Sequence, residues 1–407
     1  MKIAGWICAG LLLFGASWCR AQQLAGVQSA GAHAANRDAQ LALALEREGK
    51  LSEAVVAWKK VVAAEPHNAS AFAQLGLLEA RRERYTEAVT YYRKARALQP
   101  GLPNLGLNLG LALFKSENFH DAAEVFEGEL KKQPNGESTQ RLTILAGMSE
   151  YAQRNYAVAA GYLKDASARD AQNLSLRLTL AHCYLWTKQF DATLAVYKEI
   201  LALDPNSAEA DMLAGEAMDG MHETDGAVQQ FRAAVKANPK EPNVHFGLGY
   251  LLWTQKNFPD AIAEFNAELV NDPQSSASMI YLGDTYVRLN QFDEAKRVLE
   301  KAATLPGSDP LLHLDLGIVY TETGDKDAAA KELSQAVVME PDNVTAHFRL
   351  AKLYQSMGKK EEAKVEFAKA SSLNKKEDAG LYQRISNAAA GPARDSKSTT
   401  QDSPEKP

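Results

Sequence analysis

The stretch Leu282-Gly283-Asp284-Thr285-Tyr286 is followed by Ala295, Leu299 and Ala302, and the same spacing returns thirty-four residues later. There it reads Leu316-Gly317-Ile318-Val319-Tyr320 with Ala329, Leu333 and Ala336. One further period brings Leu350-Ala351-Lys352-Leu353-Tyr354 with Ala363, Phe367 and Ala370. A fixed period of this length marks a repeat array, in which each unit touches only its neighbours and the core is a long seam rather than a ball. The usual inference from length to two or three globular domains therefore does not apply to these 407 residues.

Extended in both directions, the register gives ten units over residues 35–376. Their eighth position holds Ala42, Gly76, Gly110, Gly147, Ala181, Gly215, Gly249, Gly283, Gly317 and Ala351. A glycine inside a helix costs about 1 kcal/mol relative to alanine, so the column makes sense only where two helices must approach closely. The twentieth position is small (Ala54, Ala88, Ala122, Ala159, Thr193, Ala227, Ala261, Ala295, Ala329, Ala363). The twenty-fourth is large, from Trp58 and Tyr92 through Phe126, Phe231 and Phe265 to Phe367. Small against large lets antiparallel helices interdigitate without voids. Prolines such as Pro66, Pro100, Pro205 and Pro341 close the units, because proline cannot continue a helix. Each unit thus reads helix, short turn, helix, proline.

This frame resembles the tetratricopeptide repeat: Leu-Gly near the start, Tyr three residues later, Ala, a large residue, then Pro. The resemblance covers nearly all of the chain after residue 34. It implies an all-α, right-handed superhelical solenoid of helix-turn-helix repeats, with the first helix of every unit on the concave side. Two departures stand out. The fourth unit arrives three residues late, after Asn135-Gly136-Glu137-Ser138-Thr139, which predicts a long loop there. Glu129 and Glu268 replace the family's small residue late in the third and seventh units, and nothing in the sequence accounts for them beyond a locally shifted helix face.

The flanks differ from the array. Lys2 followed by the apolar run Ile3–Phe14, with Cys19-Arg20-Ala21 before Gln22, has the form of an export signal over 1–21. The run is shorter than the roughly 20 residues of a membrane-spanning helix. Ala16-Ser17-Trp18-Cys19 offers lipidation at Cys19 as a rival, although Trp18 sits where a lipoprotein box wants a small residue. The expected destination is the bacterial periplasm or the exterior, with no membrane span in the mature chain. Cleavage would take the formal charge from −6 to −8 by removing Lys2 and Arg20, and would leave Cys183 alone, so no internal disulfide could form. Residues 22–34 are expected to be a polar leader, 377–390 a capping helix and 391–407 a disordered tail.

Chemistry finds little footing. There is no glycine-rich phosphate loop, no His-Glu-x-x-His helix and no serine elbow, and the negative charge argues against nucleic acid. His245, His313 and His347 share the fourth position of units seven, nine and ten, but Met279 interrupts the column, which reads as packing rather than metal binding. No catalytic residue, metal or cofactor is expected.

Binding fits better. The resemblance places the second, fifth, ninth and twelfth positions on the concave wall. In units three to five these include Leu107, Leu111, Phe114, Ile144, Met148, Tyr151, Leu178 and Leu185. Unit six offers Glu209, Met212, Glu216 and Asp219; unit seven Asn243, Phe246, Tyr250 and Trp253; unit eight Asp284. Aromatic side chains of this kind carry interface energy, so Phe246, Tyr250 and Trp253 are the expected contact patch for a peptide with an apolar anchor and a basic neighbour. The Lys and Asn that the family uses to clamp a terminal carboxylate are missing from the first units, where Ala39, Leu43, Ala73 and Leu77 stand instead. The expectation is an exported, non-enzymatic scaffold for other proteins. The alternatives are an accessory subunit of an envelope assembly or polysaccharide-export machine, and a carrier of a small apolar or glycan ligand.

Overall fold

The structure is a computed structural model that describes the backbone over 33–390 and side chains over 33–376. The expected signal, most of the leader and the tail lie outside the described residues. Within them the chain is helical throughout, with no strand, and forms twenty helices joined by short turns. The first helices of the ten repeats are α1 (33–47), α3 (Ala69–Arg81), α5 (Leu105–Lys115), α7 (Thr139–Ala152), α9 (Leu174–Trp186), α11 (Ala208–Gly220), α13 (Val244–Thr254), α15 (Ser276–Arg288), α17 (Pro310–Thr323) and α19 (Val344–Ser356). The second helices are α2 (Leu51–Ala64), α4 (Tyr85–Leu98), α6 (Phe119–Lys132), α8 (Tyr156–Arg169), α10 (Phe190–Leu203), α12 (Thr224–Ala237), α14 (Phe258–Asn271), α16 (Phe292–Ala302), α18 (Lys326–Met339) and α20 (Lys360–Ala390). The chain divides into two compact bodies between His222 and Glu223, in the turn of the sixth repeat.

Two of the expected boundaries change. Helix α1 is already under way at His33, ahead of the expected start at residue 35. Residues 377–390 are not a separate element: α20 runs unbroken to Ala390, since no proline or glycine turn intervenes to stop it.

Each helix pair is specified by three local devices. Six first helices are capped by side chains: Asn68 accepts from the Ala71 N–H at 2.9 Å, and Asn173, Ser207, Ser275, Asp309 and Asn343 play the same part. Such a cap contributes about 1 kcal/mol over alanine. The turn between the helices places the fifteenth residue of every repeat in the left-handed region, with φ between 57° and 90°. Gly49, Gly324 and Gly358 adopt this without penalty, whereas Glu83, Glu117, Arg154, Lys188, His222 and Lys256 carry a Cβ there at a cost of roughly 1–2 kcal/mol. The turn persists because it closes a hydrogen-bonded helix end, as where the Arg84 N–H donates to the Glu79 carbonyl at 2.9 Å.

Packing supplies the third device. The small column at the twentieth position is buried in all ten repeats, and the large column lies directly over the eighth. A Cβ built on Gly283 would meet Leu299 Cδ2 at 2.3 Å, and one on Gly110 would meet Phe126 Cε1 at 2.3 Å, so the glycines mark helix contact and not flexibility. The histidine column is explained in the same way. His245, His313 and His347 each hydrogen-bond a glutamate nineteen residues on, Glu264, Glu332 and Glu366, at 2.6, 2.7 and 2.5 Å, tying the first helix of a repeat to its second.

Glu129 and Glu268 acquire a structural role. In their repeats the first helix starts two residues late, behind Asn104 and Asn243 in the left-handed region at φ 59° and 63°. The buried Glu268 carboxylate reaches back to this shortened end and accepts from the N–H groups of Asn243 (3.2 Å) and Phe246 (3.1 Å). It satisfies donors that a missing cap leaves open and places negative charge at the positive end of α13. Glu129 lies against Gly106 of α5 and is held by Lys132 at 2.7 Å. The loop of residues 133–138 before the late fourth repeat is six residues long, no longer than 99–104 and 238–243, where the following helix starts two residues late.

Candidate interaction sites on the first helices

Several of the residues expected on the concave wall belong to the first body. Leu107, Leu111 and Phe114 on α5 and Ile144, Met148 and Tyr151 on α7 are all half-buried, resting on the core beneath them with one side open. Phe114 meets Phe119 edge-on at 5.2 Å, and Tyr151 meets Tyr156, which in turn stacks on the exposed Trp186. Leu185, expected on the wall, is instead buried, because α9 turns that position into the seam. On α11, Met212 and Asp219 are half-buried and Glu216 keeps solvent access. The surrounding wall still withdraws enough water to raise the Glu216 carboxyl; nearby His182 opposes the rise and Asp219 adds to it. His182, at the ninth position of its repeat, bonds Glu209 at 3.1 Å and so bridges α9 and α11. Cys183 is fully buried and burial pushes its thiol up to about 12, the opposite of a reactive cysteine.

The second body holds the more developed site. Phe246, Tyr250 and Trp253 follow one another along α13 and are half-buried, and the structure brings all three together. Their common partner is Tyr281 of the next repeat, whose ring lies 5.8, 5.3 and 5.2 Å from theirs, in each case edge to face. Tyr281 also reaches Phe265 in the core at 6.2 Å, so the cluster is continuous with the seam below it. Tyr250 and Trp253 stack at 5.9 Å and present a joint face. Burial raises the Tyr281 hydroxyl, with the neighbouring Tyr250, Asp309 and Asp284 adding to it.

Asp284 corrects an expectation. It is not an exposed acid of the groove: its residue surface is 4% accessible, because Trp253 and Arg288 close over it. A single oxygen, Oδ2, accepts from Trp253 Nε1 at 2.6 Å and from Arg288 Nε at 2.5 Å. The Arg288 guanidinium then lies over the Trp253 ring, 4.9 Å from its centroid, in a cation–π arrangement, and its side chain stays half-exposed. One repeat further, Asp315 of α17 is 2% accessible and its Oδ2 has no hydrogen-bond partner. Burial raises the Asp315 carboxyl well above the ordinary range; Asp284 adds to the rise, Arg288 opposes it and Asp309 adds again. Arg288 is thus bonded to one buried acid while its charge acts on a second.

Tyr281, Arg288 and Asp315 are the residues that the concave-wall expectation misses, whereas His182 stands at one of its ninth positions. Tyr281 and Asp315 occupy the sixth position of their repeats, which leans on the preceding repeat. No group of three or more potential metal ligands occurs among the described residues, and no described helix is long and apolar enough to cross a membrane.

Comparison with known families agrees with this geometry. Tetratricopeptide-repeat profiles match residues 39–103, 212–276 and 282–337, residues 150–217, residues 319–358 and residues 344–377, together well over half of the 407 residues. The chain belongs to the tetratricopeptide-repeat family. That fold is typical of protein–protein interaction, and its members bind other proteins or peptides. No curated protein matches by sequence. Among solved structures, a tetratricopeptide repeat protein from Parabacteroides merdae is 18% identical, covering 61% of this chain and 97% of that one with a TM-score of 0.47. Pseudomonas aeruginosa pilF is also 18% identical, covering 51% and 94% with a TM-score of 0.47. YrrB, a TPR protein with an unusual peptide-binding site, is 16% identical, covering 46% and 97% with a TM-score of 0.39. Family membership rests on the repeat profiles and not on these structural likenesses.

Proposed function

We propose that the protein is an exported, non-enzymatic scaffold that holds a partner protein against the aromatic face of repeats seven and eight. The observation that carries this is the half-buried cluster of Phe246, Tyr250 and Trp253 around Tyr281, a preassembled set of rings with an open side. Rings held by their neighbours lose little further freedom on binding, so their burial is returned as affinity. Export is supported by the Lys2, apolar run and Cys19-Arg20-Ala21 pattern at the start of the chain. The absence of catalysis is supported by where the reactive groups go: Cys183 is sealed in the core, and the histidine column is spent on helix-to-helix bonds.

Residues 22–407, used as bait in an envelope extract, test this beside a Tyr250→Ala, Trp253→Phe double variant. The phenylalanine keeps a ring against Tyr281, so the fold is retained while the exposed face and the indole N–H are lost. A protein held by the native bait and released by the variant is the expected result; identical captures would place the interface elsewhere. N-terminal sequencing of the exported protein should begin at Gln22, and a retained Met1 would contradict the export signal.

A further inference from the structure

The acids beneath the aromatic face are harder to explain by folding than the rings above them. A carboxylate withdrawn from water is costly unless it is paired and hydrogen-bonded, and exceptions in a native interior call for a reason. Asp284 has two donors; Asp315, equally buried, has an oxygen with none. Among the described residues the cation acting on both is Arg288, which reaches in from the surface, gives Nε to Asp284 and lies on Trp253. A cation lodged between an aromatic face and a buried acid, beside a second acid with a free lone pair, is how a protein receives a lysine or arginine side chain. Here the receptor is occupied by the chain's own arginine. Because the Arg288 side chain remains 45% accessible, it can swing outward without disturbing the core.

We infer that Asp284, Asp315 and the Trp253 ring form a pocket for a cationic side chain of the partner segment, and that Arg288 fills this pocket until the partner displaces it. The inference rests on the protein-binding reading of the same face and specifies its ligand: an apolar stretch seated on Phe246 and Tyr250, with a lysine or arginine entering beside Trp253. The incoming cation supplies donors for both acids, and the released Arg288 becomes free to pair with solvent or with an acid of the partner. The charged and titratable groups facing Asp315 are Asp284, Arg288 and Asp309. A further cation among them favours the ionised carboxylate, so binding releases a proton and tightens as pH rises.

The test is fluorescence polarisation of the full protein with a labelled alternating leucine–lysine peptide, and with a leucine–serine peptide of equal length. The lysine peptide is expected to bind more tightly by about tenfold or more. Asp315→Asn should remove most of that preference while the protein melts no earlier than the native form. Glu322→Gln, at an exposed acid on α17, should leave the preference unchanged, which separates the pocket from the general attraction of an acidic protein. Arg288→Gln should tighten the lysine peptide by removing its competitor. Equal affinity for both peptides, or a preference that survives Asp315→Asn, would overturn the pocket, as would weaker binding to Arg288→Gln. A natural partner that is retained by Asp315→Asn yet lost with Tyr250→Ala, Trp253→Phe would leave the scaffold reading standing and remove only the cation pocket.

Discussion

The two bodies use one repeat frame for different ends. In the first, the wall of α5 and α7 consists of Leu107, Leu111, Phe114, Met148 and Tyr151, side chains that rest on the core, with Phe114 and Tyr151 each meeting one ring of the following helix. In the second, the corresponding positions of α13 carry Phe246, Tyr250 and Trp253, linked to one another and to the next repeat by ring contacts and a buried charge. Part of the difference lies at the sixth position, which varies along the chain. In the first body it holds Gln74, Asn108 and Thr179 as well as Leu145 and Leu213, the last two adding to the seam. The second places Tyr281 and Asp315 there, which face the preceding repeat and build a site from it. A mainly aliphatic wall with isolated ring pairs is ordinary protein surface, since exposed apolar area is common. A cluster assembled across repeats, with an acid left short of partners, is harder to attribute to folding alone.

The sharpest contrast in stability is expected at the glycine column. Gly283→Leu forces a side chain into Leu299 and should cost about 1–3 kcal/mol or more, seen as an earlier thermal and urea transition. Gly147 of the first body has more room: an added Cβ would find its nearest neighbour, Leu163 Cγ, at 3.0 Å. Gly147→Ala should therefore come close to neutral, as helix propensity offsets crowding. Equal losses at both sites would mean that the two helix pairs are not packed as described.

Next in size are the two substituted glutamates. Glu268→Ala strands the buried N–H groups of Asn243 and Phe246 and should cost about 1–3 kcal/mol in urea unfolding. Glu129→Ala, whose partner Lys132 is exposed, should cost at most about 1 kcal/mol. Asp315→Asn should act in the opposite direction. An acid whose folded value is raised holds its proton more tightly in the folded chain than in the unfolded one. Native stability therefore falls as pH climbs from the ordinary carboxylate range through the raised value. The asparagine removes that fall, so the variant should be more stable at neutral pH by on the order of 1 kcal/mol. The advantage should close as the pH of the melt drops below about 4. The smallest effect should be the same in both bodies: Lys188→Gly and Lys256→Gly relieve the left-handed turn residue and should each stabilise by a few tenths to about 1 kcal/mol, read as a higher melting temperature.

Much of the fold is legible in one dimension because the forces that make a repeat act within it. Gly283 and Leu299 are sixteen residues apart, and the period alone pairs them correctly. The export segment and tail rest on composition, and the described residues say nothing of them. The site is less legible because it is made between repeats. Phe246, Tyr250 and Trp253 can be picked out as a face of α13, but nothing within the repeat shows that Tyr281 will bind them. Asp284 looks like a surface acid until Trp253 and Arg288 are placed over it. Glu268 is opaque for another reason. Its carboxylate compensates for a helix that starts late, and the late start itself depends on Asn243 entering the left-handed region.

The most direct test of the central claim is to measure the affinity of a captured partner for two matched variants. One carries Leu111→Ala and Met148→Ala on the wall of the first body; the other carries Tyr250→Ala and Trp253→Phe in the second. The account predicts that the partner binds the first variant within a few-fold of the native protein and the second at least about tenfold more weakly, with both proteins still folded. Equal weakening, or loss confined to the first variant, would contradict it.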